Sequence, residues 1–212
     1  MTISYAITVC TELEEIKKLL EFLSDHIRKE DEIVVLFDSN NGSQEVDDYL
    51  DNLRLGSIYS VNNFKICRNG FKGNFAEHKN YLNSLCSRDY IFQIDSDELP
   101  DAYLIDYLPI IIEMNNVDAI WIPRINIVKD ITDEYITQQR WTKNTDGWIN
   151  WPNDAQLRLY RNESEIKWEG KVHEKIVGYK TIAKLPDVSY YALWHIKSFD
   201  KQKLQNEFYN TL

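Results

Sequence analysis

The chain has 212 residues, 43% of them hydrophobic and 27% charged, and carries a formal net charge of −10. That size and balance fit one soluble globular domain with a real core. The net acidity, with no lysine- or arginine-dense stripe to overcome it, argues against a nucleic-acid polymer as partner. No apolar run reaches membrane-spanning length, so no transmembrane segment is expected, and "MTISYAITVC" lacks the basic start and small-residue cleavage site of a secretory signal. Cys10, Cys67 and Cys86 are odd in number, widely spaced and set in apolar patterns. They read as reduced core thiols, which favours a cytoplasmic location over a disulfide framework or a zinc site.

In chain order, "ISYAITV" reads as a buried strand, and the segment from Glu12 to Lys29 sets Leu13, Ile16, Leu23 and Ile27 at helical spacing. "EIVVLF" is a second buried strand, closed by the turn formers of "DSNNGS", before a helix near Gln44 to Leu53. A third strand near Ser57 to Cys67, a loop "RNGFKGN", a helix from Phe75 to Cys86 and the strand "DYIFQI" continue the alternation. Strand and helix in turn predict a mostly parallel sheet flanked by helices, with ligands at the loops that follow the strands. After Pro100 the pattern becomes mixed. A helix over Ala102 to Met114 leads to the strand "DAIWIPRINIV", a polar and aromatic stretch from Lys129 to Asp154, strands near Gln156 to Tyr160 and Lys167 to Val177, then "SYYALWHI" and an amphipathic end with Phe199, Leu204 and Phe208. With no repeat and no linker, residues 1–212 read as one domain, 1–99 supplying one half of a site and 100–212 the other.

The acidic tip "QIDSDELP" carries Asp95, Asp97 and Glu98 at the end of a buried strand. Clustered carboxylates there repel one another unless a cation neutralises them, and a hard divalent ion bridging to phosphate is the simplest solution. The competing reading is a helix N-cap formed by Asp and Ser, with Glu98 favouring the dipole. In the Phe75 helix, Lys79 interrupts an inward stripe of Phe75, Leu82 and Cys86, with His78 at its margin. A lysine there either snorkels to solvent or meets an anion. Arg68, Lys72 and Lys79, with Gly70 and Gly73, put cations and flexible backbone beside the acidic tip, as a pyrophosphate requires.

The ordered set "ISYAITVCTE", "VVLFDSNNGS", "GNFAEHKNYL", "DYIFQIDSDELP", "QLRLYRNESEIKWEGKVHEK" and "LWHIKSF" resembles the family 2 glycosyltransferases of the GT-A fold, especially small bacterial enzymes that extend surface glycans. The resemblance implies an α/β, Rossmann-like GT-A domain with a nucleotide-binding half at 1–99 and an acceptor-side half at 100–212. It implies a metal-dependent, inverting transfer of a sugar from a UDP-linked donor to a glycan or other hydroxyl acceptor, with Mn²⁺ or Mg²⁺. Asp38 would pair with the base, Thr11 and Glu12 would form the lip of that pocket, Asp95 would reach the ribose side, and Lys79 would lie beside the diphosphate or base. Lys79 stands where relatives often have an arginine, which removes bidentate contact. Asp97 would reach the metal, and His195 would complete the metal or diphosphate shell.

For the base that deprotonates the acceptor, Glu174 in "WEGKVHEK" matches the family's acidic motif and Asp154 in "WPNDAQLR" is its rival. On the residues alone, Glu174 also reads as a strand-end partner of Lys171 or Lys175, and His173 as a donor contact or a packing residue against Trp168. Trp141, Trp148, Trp151 and Trp168 lie close together and suggest an acceptor wall, since indole faces stack on sugar rings. Trp121 reads as core. Two alternatives come from other classes: a nucleotide-sugar-binding protein without turnover, and a phosphotransferase with Asp95 as nucleophile. The second is disfavoured because the acidic pair follows the fourth strand and continues with Glu98 and Leu99.

Overall fold

The computed structural model describes residues 1–55 and 63–209. Its first half alternates strands β1 (Ile3–Val9), β2 (Glu32–Phe37), β3 (Phe64–Arg68) and β4 (Tyr90–Asp95) with helices α1 (Leu13–His26), α2 (Gln44–Leu55) and α3 (Phe75–Leu85). The strands pair in parallel in the order β3-β2-β1-β4. β1 and β2 are continuous apolar runs because both faces of the sheet are covered. Ile3, Tyr5, Ile7 and Val9 share one core with Leu19 and Leu20 of α1 and Leu50 of α2, whereas Ala6, Val34 and Leu36 join Ala76 and Leu82 of α3 on the other. The expected third strand is found from Phe64 onward; the part of that expectation before residue 63 lies outside the described residues.

The second half contributes β5 (Glu98–Pro100), α4 (Ala102–Asn115), β6 (Ala119–Lys129), α5 (Asp133–Gln138), β7 (Ala155–Arg161), β8 (Lys167–Glu169), β9 (Lys175–Val177), β10 (Ile182–Lys184), β11 (Leu193–Ser198) and α6 (Phe199–Tyr209). β7 docks antiparallel on β4 and carries β6, β11 and β5 beyond it, so both halves share one sheet. β5 begins three positions after β4 ends, yet it pairs with β11, three strands from β4 in the sheet. The sheet is therefore curled, and the tip of β4 meets β11 across the inside of the curl.

Three elements differ from the sequence reading. Glu98 to Pro100 is a strand and not the start of a helix; the N-cap of α4 is Asp101, which accepts from the Tyr103 N–H. The carboxylates of the acidic tip are thus not capping groups. Lys167 to Val177 is a hairpin, β8 paired with β9, with a loop at residues 170–174 whose Gly170 has φ +106°, a conformation other residues rarely adopt. The polar stretch from Lys129 to Asp154 contains the short helix α5, capped by Thr132. Pro123 interrupts β6 where its neighbour changes from β10 to β11, so the missing N–H is not needed by either.

Candidate active site

The inside of the curl holds a cavity of about 1000 Å³, at the carboxyl ends of β1 and β4 and lined by both halves. A topological switch in a parallel sheet opens such a crevice, because β2 and β4 leave β1 in opposite directions. On the first-half side, Asp38 follows β2 and accepts from the backbone N–H groups of Asn40 (2.9 Å) and Phe71 (2.8 Å) and from the Asn41 side chain (2.8 Å). Burial alone would raise its carboxyl, but these donors outweigh burial and hold it below the usual carboxylate range. Gly70 leaves room for the Asn40 side chain, which a Cβ at 2.2 Å would displace from its hydrogen bond to Phe71 O. His78 lies in the same wall, largely buried, with no protein partner for its Nδ1 among the described residues. Glu12 turns back to accept from the N–H groups of Cys10 and Thr11, both at 3.0 Å, and from Ser96 at 3.2 Å, tying the loop after β1 to the tip of β4.

The tip itself is neutralised by arginines from the second half. Arg158, on the inward face of β7 and buried, reaches Asp95 at 2.5 Å and Glu98 at 2.9 Å and also bonds Gln93. Burial opposes ionisation of Asp95, but Arg158 and Lys79 hold it well below the ordinary range. Arg124 of β6 pairs with Glu98 at 3.2 Å and with Asp154 at 3.0 Å. Asp154 also accepts from Asn126 and from Gln156 (2.7 Å). Its carboxyl, despite burial, is held low chiefly by Arg124. Every oxygen of that carboxylate is engaged in bracing the wall.

Asp97 and His195 come together because β5 lays Glu98 opposite His195, leaving the Asp97 Oδ2 3.3 Å from the His195 Nε2. Asn126 donates its Nδ2 to Asp154, so its Oδ1 accepts from the His195 Nδ1–H at 2.8 Å. With Nδ1 so engaged, Nε2 is the ring nitrogen left facing Asp97, and a second group on the other nitrogen is also what orients metal-ligating histidines. No group of three or more His, Cys, Asp or Glu side chains suited to a metal occurs among the described residues. A carboxylate and an imidazole fit a divalent ion that takes its other ligands from phosphate and water. Lys201 of α6 lies 3.4 Å from the same Asp97 oxygen. Burial would raise the Asp97 carboxyl, but His195 and Lys201 keep it well below the usual range. Lys197, two positions after His195 on the same face of β11, also lines the cavity, and burial pushes its amine down to about 8.

Glu174 enters from the 170–174 loop. Asn80 of α3 exchanges two 2.8 Å hydrogen bonds with the backbone of Trp168, and the Phe75 N–H at the start of α3 donates to Lys171 O at 3.0 Å, so the loop is pinned to α3. Glu174 then meets Lys79 at 2.7 Å inside the cavity, which corrects the outward strand-end alternative. Lys79 is 6% exposed, also lies 3.5 Å from Asp95, and sits over the Trp168 ring at 4.6 Å; it does not snorkel to solvent.

Asp38, Glu12, Asp95, Asp97, Lys79, Asp154, His173, Glu174 and His195 all line this one cavity; Thr11 and Lys72 do not and are exposed. Arg68 is likewise committed elsewhere, to Asp47 (2.7 Å) and Asp51 (2.6 Å) of α2. Of the tryptophans, Trp141 and Trp168 line the cavity, while Trp148 packs edge-on against Trp151 and Trp194 outside it. The sequence reading gave no role to Arg124, Arg158, Lys197 or Lys201. Each of the first three alternates with another polar residue, Asn126, Gln156 or His195, so period two assigns them to the polar face of their strands, and that face turns inward only when the sheet curls.

No protein-family model and no curated protein matches this chain. Solved structures do. S. aureus TarS residues 1–349 in complex with UDP-GlcNAc superposes with a TM-score of 0.65 at 15% identity, covering 93% of this chain and 59% of that one. The same fragment with UDP gives 0.64 at 14% identity over 92% and 60%. The mannosyltransferase PcManGT from Pyrobaculum calidifontis, in complex with GDP-Man and Mn²⁺, gives 0.55 at 13% identity over 91% and 55%. The chain thus spans about 60% of the length of the TarS fragment it matches. Together with the curled, mostly parallel sheet, these likenesses establish the GT-A glycosyltransferase fold.

Proposed function

We propose that the chain is an inverting glycosyltransferase that moves a sugar from a nucleoside diphosphate donor, UDP-linked, to a hydroxyl acceptor. The observation that carries this reading is the meeting, in one cavity, of Asp38, the Asp97–His195 pair and Glu174, drawn from four separate loops and strands. The fold of proteins solved with UDP, UDP-GlcNAc and GDP-Man supports the same class of donor.

In this reading Asp38, fixed by backbone amides, accepts a hydrogen bond from the base. Asp97 and His195 are the residues that would hold Mn²⁺ or Mg²⁺, which when bound would add positive charge at the diphosphate leaving group. Glu174 takes the proton from the acceptor hydroxyl as that oxygen attacks the anomeric carbon, while the bond to the diphosphate breaks on the opposite face; one displacement inverts the centre. Lys79, 2.7 Å away, holds Glu174 in place. Arg158 and Arg124 neutralise Asp95, Glu98 and Asp154, so the remaining anionic groups do not repel the donor. Trp141 and Trp168 supply ring faces for a sugar.

The test is thermal denaturation with UDP-GlcNAc, UDP-glucose and GDP-mannose, each with Mn²⁺, followed by assay of UDP release and sugar transfer. A donor at a hundredfold its Kd adds about 2.7 kcal/mol of stability. Stabilisation by a UDP-sugar, with transfer to a glycan acceptor lost in Glu174→Gln, is expected. Absence of stabilisation by every nucleotide sugar would overturn the reading, and stabilisation without turnover against any acceptor would reduce it to a binding protein.

A further inference from the structure

We propose that Lys197 and Lys201 form an ammonium subsite that holds the donor diphosphate without help from a divalent ion. This rests on the donor reading above and adds the source of the positive charge.

Lys197 is 8% exposed and lies in the cavity wall. Its Nζ donates to the neutral amide oxygen of Gln205 at 2.6 Å, and among the described residues no carboxylate lies within 4.0 Å of it. Buried ammonium groups are ordinarily paired with an anion, because the lost hydration is not recovered otherwise. Other buried basic groups of this wall follow that rule: Arg158 has Asp95 and Glu98, Arg124 has Glu98 and Asp154, and Lys79 has Glu174. Lys197 is set apart from them by facing a cavity rather than a carboxylate. An anion arriving in the cavity would complete it.

Lys201 adds the second charge. It stands behind the cavity lining and reaches from α6 to the Asp97 Oδ2 at 3.4 Å, the oxygen that also faces His195, and to Glu15 of α1 at 3.4 Å. That is where a divalent ion would bind, and an ammonium tethered there between Asp97 and Glu15 already offsets part of their negative charge. β11 runs directly into α6, which sets the two amines four positions apart across the strand-to-helix junction, and Gln205, on the same helix, satisfies Lys197 until the anion arrives. The chemistry recognised is a compact polyanion of phosphate groups, met by point charges rather than by a bidentate guanidinium.

Calorimetry with two probes, inorganic pyrophosphate and UDP, each in EDTA and in Mn²⁺, tests this on the intact chain. Wild type is expected to bind both probes in EDTA, within about tenfold of the affinity in Mn²⁺. Lys197→Met should weaken both in EDTA by at least about tenfold, roughly 1.4 kcal/mol. Lys197→Arg should retain most of the affinity, and Lys201→Met should lose part of it. Lys197→Gln serves if Lys197→Met does not fold, and the wild-type comparison needs no variant. The subsite is refuted if wild type binds UDP in Mn²⁺ but neither probe in EDTA, or if Lys197→Met matches wild type in EDTA; the donor reading survives both results. Binding of pyrophosphate in EDTA without any binding of UDP would leave the subsite standing and remove the nucleotide donor.

Discussion

The two halves hold their carboxylates in place by different means. Asp38, in the first half, is fixed by backbone N–H groups and an asparagine close by in sequence or on the next loop, and it keeps its charge uncompensated by any cation within pairing distance among the described residues. Across the cavity, Asp95, Glu98 and Asp154 are locked to Arg158 and Arg124, residues 26 to 63 positions away in sequence. A carboxylate satisfied by amide dipoles remains able to recognise a ligand donor, whereas one satisfied by arginine is committed to the architecture. The difference separates groups that can act on a substrate from groups that only hold the wall, and it can be tested from both sides.

The largest effect is expected at Arg158. Arg158→Met removes the nearest cation from both Asp95 and Glu98, leaving Asp95 only Lys79 at 3.5 Å and Glu98 only Arg124 at 3.2 Å, which costs about 3 kcal/mol. Urea denaturation should show that loss, and a cost below about 1 kcal/mol would mean the arginine does not hold the seam. Acid acts on the same network. Asp95 and Asp154 are held below the ordinary carboxylate range in the folded state, so once pH falls past about 4 the unfolded chain binds more protons than the folded one. Their stabilising contribution is therefore present above about pH 4 and lost as pH falls toward the folded-state values. Circular dichroism should place the acid transition of wild type below that of Arg158→Met.

Next comes the comparison between Glu174 and Asp154. Glu174 meets one lysine and faces the cavity, so Glu174→Gln should lower transfer by roughly a hundredfold or more while UDP affinity stays near wild type. Lys79 retains Asp95 at 3.5 Å in that variant, so the fold should hold. Asp154, with Arg124, Asn126 and Gln156 on its oxygens, belongs to the wall; Asp154→Asn should cost stability and change transfer much less. Transfer near the wild-type rate by Glu174→Gln, with Asp154→Asn inactive, would exchange these roles. On the donor side, Asp38→Asn keeps an acceptor oxygen for the Phe71 and Asn40 amides but loses the charge, and should weaken UDP by roughly tenfold while leaving pyrophosphate binding unchanged. Equal losses for both probes would show that Asp38 shapes the loops and does not contact the base.

The same contrast explains what could be read in the sequence. β1, β2 and β4 are apolar runs ending in turn formers, and their helices carry helical spacing, so the first half and the location of Asp38 and Asp97 follow from local pattern. β5 is three residues long and owes its existence to pairing with β11, nearly a hundred positions on, which no local pattern encodes. The Asp97–His195 contact depends on that pairing; the resemblance suggested it, while spacing alone did not. Arg158 and Lys197 carry only the mark of alternation with Gln156 and His195, which reads as a polar strand face; that face turns inward when the sheet curls, and their partners lie on other elements. Lys201 has no such mark, because α6 has a weakly amphipathic pattern and its contact with Asp97 arises only when the sheet curls.

The tryptophans give the smallest expected effect and the finest division between the two kinds of wall. Trp141 lines the cavity beside Thr142 and Asn150, whereas Trp148, seven positions later, turns away and packs edge-on against Trp151 at 5.4 Å and Trp194 at 5.6 Å. If Trp141 offers its face to the acceptor sugar, Trp141→Ala should raise the acceptor KM severalfold, with donor affinity and kcat little changed, since stacking contributes equally to ground and transition states. Trp148→Ala removes aromatic packing outside the cavity, so it should lower the melting temperature and leave both KM values near wild type. A raised acceptor KM in Trp148→Ala with Trp141→Ala unaffected would mean that the acceptor approaches along the outer Trp148–Trp151–Trp194 surface instead of the curl, and Glu174, which faces inward, would then be unable to reach its hydroxyl.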